Sequence, residues 1–152
     1  MNIREALPEE LDIVENIVRT TITEIYPHYY PEGAVRFFLE HHNRENIGND
    51  IADKIVYLCT DSTGNAAGTV TIKKNEICRL FVLPEFQGCG YGGVLLRFAE
   101  KKISCHYGEI VLDASLPAKA IYMKKGYTET AYHIIETDNG DFLCYDLMKK
   151  IL

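Results

Sequence analysis

The sequence predicts an α+β fold, in which helices pack on a twisted, mixed and mostly antiparallel sheet with one βαβ unit at its centre. Three observations predict it. Apolar residues recur at helical spacing through residues 11–51. Apolar runs separated by short polar turns follow over residues 55–82, which is typical of an antiparallel meander. A strand, a glycine-rich turn, a helix and another apolar run then occupy residues 80–114, which is the order of a βαβ unit.

The first third of the chain is expected to be mostly helical. After a short strand at residues 3–6, Pro8 starts a helix that runs to about residue 26, because proline fits the first helical turn. One face of this helix is apolar and consists of Leu11, Val14, Val18, Thr21, Ile22 and Ile25. Pro27 and Pro31 hold the next segment extended. A second helix starts at Pro31, and Asn43 caps a third helical stretch.

The rest of the chain alternates strands with two helices. The helix after the glycine-rich turn carries the apolar stripe Leu95, Phe98, Ala99 and Ile103, and a second one over residues 117–125 ends at Gly126. Strands are predicted at residues 55–60, 68–73, 76–82 and 110–114, and in a final hairpin of residues 127–137 and 142–148. No linker or repeat interrupts this order, so residues 1–152 are expected to form one domain.

The glycine-rich turn indicates a ligand. Four glycines, Gly88, Gly90, Gly92 and Gly93, lie within six residues between an apolar strand and a helix. Glycines let backbone N–H groups approach a ligand, and a helix N-terminus adds partial positive charge. The pattern therefore suits a phosphate or a diphosphate, although a tight turn without a ligand has the same composition.

Two phosphate-binding motifs can be compared with this turn. A Walker A loop requires Gly-Lys-Ser/Thr, whereas Gly92 is followed by Gly93 and Val94, so nucleotide hydrolysis is excluded. The dinucleotide pattern fits better, because Gly88-x-Gly90-x-x-Gly93 is present and Asp113 lies twenty residues further on. Its context differs, since five residues separate the strand from the first glycine. A dinucleotide-binding protein stays as the less favoured alternative.

The segment resembles motif A of the GNAT superfamily of N-acetyltransferases, whose signature is Gln/Arg-x-x-Gly-x-Gly/Ala. Gln87, Gly90 and Gly92 match this signature. A second family motif, Asn-x-x-Ala followed by Tyr-x-Lys-x-Gly-Phe, is matched downstream by Ser115, Ala118 and the run from Tyr122 to Tyr127. Ser115 replaces the usual Asn. The resemblance implies a three-layer α/β/α domain that uses acetyl-CoA and no metal.

The resemblance also implies the residues that contact the coenzyme and carry the reaction. Contacts are expected along the strand end, the loop and the downstream motif, at Leu80, Phe81, Val82, Gln87, Gly88, Cys89, Gly90, Tyr91, Gly92, Gly93, Ser115 and Tyr122. The pantetheine arm is expected to pair with the strand edge like an added strand. The Leu80 N–H would stabilise the oxyanion, and Tyr122 would protonate the leaving thiolate. A core tyrosine is the alternative for Tyr122.

Glu76 is the candidate base. It lies eleven residues before Gln87, where the histone acetyltransferase branch of the family carries a glutamate. An alkyl ammonium has a pKa of about 10.4, so a base must remove its proton before the nitrogen attacks. A solvent-exposed strand glutamate, with water or His28 as the proton acceptor, is the alternative. Cys89 is at a variable position of the motif, so direct transfer without a covalent enzyme intermediate is expected.

The loop between the first two helices is the candidate acceptor-binding segment. It contains Tyr26, His28, Tyr29 and Tyr30, and the resemblance implies that it covers the acceptor pocket. A surface loop with its rings packed on the sheet is the alternative. His41 and His42 are adjacent and cannot share a face of a helix, so no metal site is predicted.

Composition limits the partners. The net charge of −6 disfavours nucleic acid and anionic membranes and is compatible with an amine substrate. The five scattered cysteines indicate reduced thiols and a cytoplasmic protein, and no run reaches the roughly 18 apolar residues of a membrane span. We expect an acetyltransferase acting on a primary amine by direct transfer in a ternary complex. An acyl-CoA-binding or sensing module without turnover is the alternative, and self-association into a homodimer stays open.

Overall fold

Seven strands and five α-helices are present in the computed structural model, which describes residues 1–152. The strands are β1 (Asn2–Glu5), β2 (Val56–Thr60), β3 (Ala66–Lys73), β4 (Glu76–Val82), β5 (Glu109–Ala114), β6 (Thr128–Glu136) and β7 (Phe142–Ile151). The helices are α1 (Leu11–Ile25), α2 (Glu32–His41), α3 (Arg44–Ala52), α4 (Tyr91–Ser104) and α5 (Leu116–Lys124). Each predicted element is present, with ends that differ by at most three residues from those predicted.

The strands form one open sheet in the order β1-β2-β3-β4-β5-β7-β6. Only β4 and β5 are parallel, and α4 connects them, so β4-α4-β5 is the predicted βαβ unit. All other neighbours are antiparallel. These features confirm the predicted α+β class and the mixed, mostly antiparallel sheet. The sequence did not predict that β7 would lie between β5 and β6.

Helices cover both faces of the sheet because each has one apolar stripe. On one face α1 buries Val14, Ile17, Val18, Thr21 and Ile22, and it packs there with residues of α2, α3 and β4. On the other face α4 buries Leu95, Leu96, Ala99 and Ile103. Ile17 is fully buried although the predicted stripe did not include it. No helix is long and apolar enough to cross a membrane.

A β-bulge in β4 changes which residues face the neighbouring strands. The register with β3 passes from Thr71↔Arg79 to Ile72↔Ile77, so Cys78 is the extra residue. A regular strand would place Glu76 and Phe81 on opposite faces of the sheet. Because of the bulge, both side chains lie on the face covered by α1 and α2.

The parallel pairing of β4 with β5 is short. It consists of the pairs Glu76↔Val111 and Ile77↔Leu112, and beyond them the two strands separate. The Leu83 N–H donates to the Ala67 carbonyl oxygen of β3 at 2.9 Å. Because backbone groups alternate between the two neighbours of a strand, the N–H and C=O of Leu80 point away from β3. They therefore face the gap between β4 and β5.

Candidate active site

The glycine-rich loop leads from the end of β4 into the first turn of α4. Gly88 and Gly90 have φ values of +76° and +89°, and Gly90 is the N-cap of α4. A Cβ atom at either position would meet no atom within 4 Å. The positive φ values of Gly88 and Gly90 are unfavourable for residues with a Cβ atom, so the backbone conformation requires glycine at both positions. The open space beside them leaves room for a ligand.

The Gln87 side chain holds this loop against β4. Its Nε2 donates to the Val82 carbonyl oxygen at 2.9 Å. The Thr21 hydroxyl of α1 is 3.1 Å from the same oxygen. In this structure Gln87 therefore closes the turn. Positioning of the loop is thus an alternative to the predicted direct contact of Gln87 with the coenzyme.

A groove of about 410 Å³ runs along the loop between the end of β4 and α5. Its lining consists of ten hydrophobic residues, four glycines, Pro117 and four polar residues, of which Lys125 is the one charged residue. The lining residues are Thr21, Ile25, Tyr26, Leu80, Phe81, Val82, Phe86, Gln87, Gly88, Gly90, Gly92, Gly93, Leu96, Ser115, Pro117, Ala118, Ile121, Tyr122 and Lys125. We call this space the loop groove.

A second cavity of about 600 Å³ lies on the other side, between β4, β5 and β7 and the helices α2 and α3. We call it the acidic cavity, because it contains the carboxylates of Asp50, Asp53, Glu76 and Asp113. Aromatic rings, including those of Phe37 and Tyr145, line much of the remainder. Six residues line both spaces: Tyr26, Leu80, Phe81, Ser115, Ala118 and Tyr122. The loop groove and the acidic cavity therefore meet where Leu80 faces the gap in the sheet.

Two carboxylates face each other across the point where β4 and β5 separate. Burial raises the pKa of Glu76, and the negative charge of Asp113 raises it further. Lys73 and His41 act in the opposite direction and lower the pKa of Glu76 in part. Burial also raises the pKa of Asp113, while His133 and His41 lower it. Neither Glu76 nor Asp113 forms an ion pair, whereas Asp50 is paired with Arg79. The acidic cavity therefore holds more carboxylates than the two cations Lys73 and Arg79 of its lining can balance.

Arg79 anchors two helices to the sheet at the wall of the acidic cavity. Its side chain is 7% exposed and donates to Asp50 of α3, to the Nδ1 of His42 (3.1 Å) and to the Thr71 hydroxyl (3.3 Å). A buried guanidinium needs partners of this kind, because an unpaired buried charge is strongly unfavourable. The network fixes α2 and α3 beside the bulge in β4.

Tyr122 and Tyr26 are both buried where the two spaces meet. Burial raises the pKa of Tyr122 above its ordinary value, and Tyr26 contributes to the rise. Burial raises the pKa of Tyr26, which the Ser115 hydroxyl lowers in part. Both phenols consequently keep their protons at neutral pH. Tyr122 is the one catalytic candidate besides Leu80 that lines both spaces, whereas Glu76 lines only the acidic cavity.

Some predicted contact residues lie outside both spaces. Cys89 is exposed and is not part of the groove lining, and the buried Tyr91 packs its ring against Phe86 at 5.4 Å. His28 and Tyr29 are exposed on the short 3-10 turn after α1 and line neither space. Of that loop, the structure brings Tyr26 to the site.

Tyr30 has a different position from the one predicted for a substrate contact. Its hydroxyl donates to the Cys144 carbonyl oxygen (3.3 Å) and accepts from the Leu116 N–H (2.7 Å). Burial raises its pKa. Tyr30 thus links the loop after α1 to the start of α5, which is a packing role.

The sequence did not predict the roles of four residues that line the site: Asp50, Arg79, Asp113 and Lys125. One signal existed for Arg79, since a charged residue in the middle of an apolar strand must find buried partners. Asp113 was considered only as the acidic residue of a dinucleotide site. It lines the acidic cavity and not the loop groove, so the two parts of that pattern are not in one site. No cluster of three or more metal-ligating side chains is present.

Comparison with known proteins identifies the family. The family model described as Acetyltransferase (GNAT) domain matches residues 25–147. The chain therefore belongs to the GNAT acetyltransferase family. A search of curated protein sequences found no match.

Solved structures of similar fold agree with this assignment. A GCN5-related N-acetyltransferase from Rhodopseudomonas palustris, also described as a class-II aminotransferase, superposes with a TM-score of 0.90 at 21% identity, covering 99% of this chain and 95% of that one. PaiA N-acetyltransferase from Thermoplasma acidophilum, in complex with coenzyme A, gives 0.76 at 22% identity and coverages of 99% and 98%. YncA, a putative acetyltransferase from Salmonella typhimurium with acetyl-CoA, gives 0.73 at 17% identity and coverages of 100% and 94%. The predicted GNAT fold is confirmed.

Proposed function

We propose that this protein is an acetyl-CoA-dependent N-acetyltransferase that acetylates a primary amine by direct transfer in a ternary complex. One observation carries the proposal. The loop groove and the acidic cavity meet at Leu80 and Tyr122, so a donor and an acceptor can enter from opposite sides and react where they touch. Direct transfer needs this arrangement of two open spaces and one shared point.

The loop groove suits coenzyme A in shape and in chemistry. The glycine loop and the N-terminus of α4 offer backbone N–H groups and a helix dipole for the diphosphate. The gap beside β4 offers the N–H and C=O of Leu80 and the N–H of Val82 to the amides of the pantetheine arm. The complexes of PaiA with coenzyme A and of YncA with acetyl-CoA, which share the fold, support this choice of ligand.

The reaction would proceed through groups at the meeting point. Glu76 accepts a proton from the bound ammonium, directly or through water, and its raised pKa makes it a stronger base than an exposed glutamate. The nitrogen then attacks the thioester carbon, and the Leu80 N–H stabilises the oxyanion until the C–S bond breaks. The second proton of the nitrogen passes through water to the leaving thiolate as the amide forms. Tyr122 donates a hydrogen bond to the leaving sulfur. Because burial raises the Tyr122 pKa, complete transfer of its proton is less favourable than this hydrogen bond.

The acidic cavity favours an acceptor that is positively charged before it reacts. Glu76 and Asp113 form no ion pair, the charge of Lys73 offsets that of Asp113 at Glu76 only in part, and a bound ammonium would relieve the remaining repulsion. The rings of Phe37 and Tyr145 provide apolar contact for a carbon chain next to the amine. An anionic acceptor would meet the opposite field.

Two measurements test the function. In thermal shift, we expect stabilisation by acetyl-CoA and coenzyme A and none by NAD or FAD, of about 2.7 kcal/mol at one hundred times the Kd. Release of free thiol from acetyl-CoA is then followed with a panel of cationic, neutral and anionic amines. Stabilisation by NAD alone would exclude the proposal. Coenzyme binding without thiol release for any amine would favour the sensing module.

A further inference from the structure

Lys125 is the one charged residue that lines the loop groove. The chain has a net charge of −6, so a coenzyme with several phosphate charges approaches a protein of the same sign. Backbone N–H groups at the glycine loop supply only partial charges. A full positive charge in the groove would offset this repulsion where the coenzyme binds, and Lys125 is the lining residue that can supply it.

The end of α5 fixes the position of Lys125. Gly126 has a φ of +87°, its N–H donates to the Met123 carbonyl oxygen, and the Tyr127 N–H donates to the Tyr122 carbonyl oxygen, both at 3.1 Å. This pair of bonds is a Schellman cap, in which Lys125 is the C-cap residue. The buried Tyr127 ring packs on the Tyr122 ring at 5.5 Å. The backbone of Lys125 is therefore tied to the residue at the reaction point.

The Lys125 ammonium is also free to bind an anion. The ion pairs that lysines form within the chain belong to Lys119, Lys149 and Lys150. Two other cations nearby do not line the groove. Lys124 points elsewhere because successive helical residues differ by about 100°, and Arg97 lies along α4 beside Gly93.

We propose that Lys125 binds a phosphate group of the coenzyme, either in the diphosphate or at the 3′ position, and so contributes to coenzyme selection. This inference rests on the proposed function. It concerns binding, so it is tested by affinity and does not require that the amine be known. Exposed charge pairs of this kind change an affinity by about two- to fivefold, and salt screens them.

The test measures the Kd of coenzyme A and of 3′-dephospho-coenzyme A by calorimetry for the parent protein and three variants, at low and at high salt. For Lys125→Gln we expect an affinity for coenzyme A that is about two- to fivefold weaker at low salt and a smaller difference at high salt. Lys125→Arg should stay close to the parent. Lys124→Gln, the matched control for loss of one positive charge, should change the Kd less than twofold.

The dephosphorylated ligand identifies the phosphate. If the loss caused by Lys125→Gln disappears with 3′-dephospho-coenzyme A, Lys125 binds the 3′-phosphate, and an unchanged loss assigns it to the diphosphate. Equal affinities of Lys125→Gln and the parent for both ligands would overturn the inference and leave the proposed function intact, as would equal losses in Lys124→Gln and Lys125→Gln. A parent protein that binds neither ligand would overturn the proposed function itself.

Discussion

The Nε of Arg79 donates a hydrogen bond to the Nδ1 of His42 at 3.1 Å. Because a guanidinium can only donate, the Nδ1 must be the acceptor, and the imidazole in this pair is neutral. Burial lowers the pKa of His42 to about 3, and the charge of Arg79 contributes to the shift. The pair therefore couples the packing of α2 to the protonation of one histidine.

Acid should destabilise the protein through His42. The folded pKa of about 3 is below the ordinary 6.5, so the unfolded chain binds more protons between these values, and stability is lost as pH falls from 6.5 toward 3. The slope is at most about 1.4 kcal/mol per pH unit for one proton. Urea unfolding from pH 7 to 4.5 measures it. His42→Asn should flatten the curve, and the exposed His28→Asn should not. A parent midpoint that is constant over this range would contradict the prediction.

Loss of the anion beside Arg79 should be costly. Asp50→Asn leaves a buried guanidinium without a charged partner, and we expect a loss of about 3 kcal/mol in the free energy of unfolding. Asp12 forms the matched exposed ion pair with Arg44, at 2.6 Å and with 81% of its side chain accessible. Asp12→Asn should cost less than about 0.5 kcal/mol. Similar urea midpoints for the two variants would show that the Arg79 pair contributes little.

A side chain at Gly90 should weaken coenzyme binding. Gly90→Val places a branched side chain in the loop groove and strains a φ of +89°. Gly140 has a φ of +83° and equally open surroundings, but it lies in the hairpin between β6 and β7. Gly140→Val therefore matches the strain without touching the groove. We expect similar losses of stability and a large increase in the acetyl-CoA Kd for the Gly90 variant alone, measured by calorimetry.

Glu76→Gln should lower kcat/KM most at neutral pH. If Glu76 takes the amine proton, the variant recovers as pH rises, because solvent then supplies free amine. In the parent the acidic limb should lie above the ordinary glutamate pKa, since burial and Asp113 raise the pKa of Glu76. The exposed Glu5→Gln on β1 serves as the control. A Glu76→Gln enzyme with the parental rate and pH profile would assign proton removal to water or another group.

Tyr122→Phe should lower kcat and leave the coenzyme affinity nearly unchanged. The variant loses one hydrogen bond to the leaving sulfur and keeps the ring that packs against Tyr127. The expected decrease is moderate, because a coenzyme thiolate is a tolerable leaving group. Steady-state kinetics with acetyl-CoA measure it. A change in KM without a change in kcat would indicate a packing role.

The fold could be predicted from the sequence because its signals are local. Helical stripes in α1 and α4, the Asn43 cap, which accepts from the Asn46 N–H at 2.8 Å, and Gly126 at the end of α5 each depend on neighbours in the chain. The insertion of β7 between β5 and β6 depends on pairing between distant segments, and no local pattern encodes it.

The site was predictable in part for the same reason. The glycine loop is one continuous segment with special backbone requirements, so its residues could be named. The acidic cavity is assembled from eight helices and strands, and Asp50 of α3 lies in it as the ion-pair partner of Arg79 of β4. His28 and Tyr29 were placed over the pocket by the resemblance, but the 3-10 turn after α1 directs them outward. A bulge of one residue at Cys78 has no clear signature in sequence.

Because β4 and β5 pair over only two residue pairs, this sheet has unpaired backbone groups at a gap in its middle as well as at its two outer edge strands. The Leu80 amide belongs to a central strand, yet it should exchange its hydrogen with deuterated solvent like the amide of a border strand until a ligand covers it. Unpaired strand edges of this kind can hydrogen-bond to a strand of another protein chain and so promote aggregation. Here residues of α1, α2 and α5 line the spaces beside the gap, so these helices restrict the approach of a foreign strand to the unpaired backbone groups in the middle of the sheet.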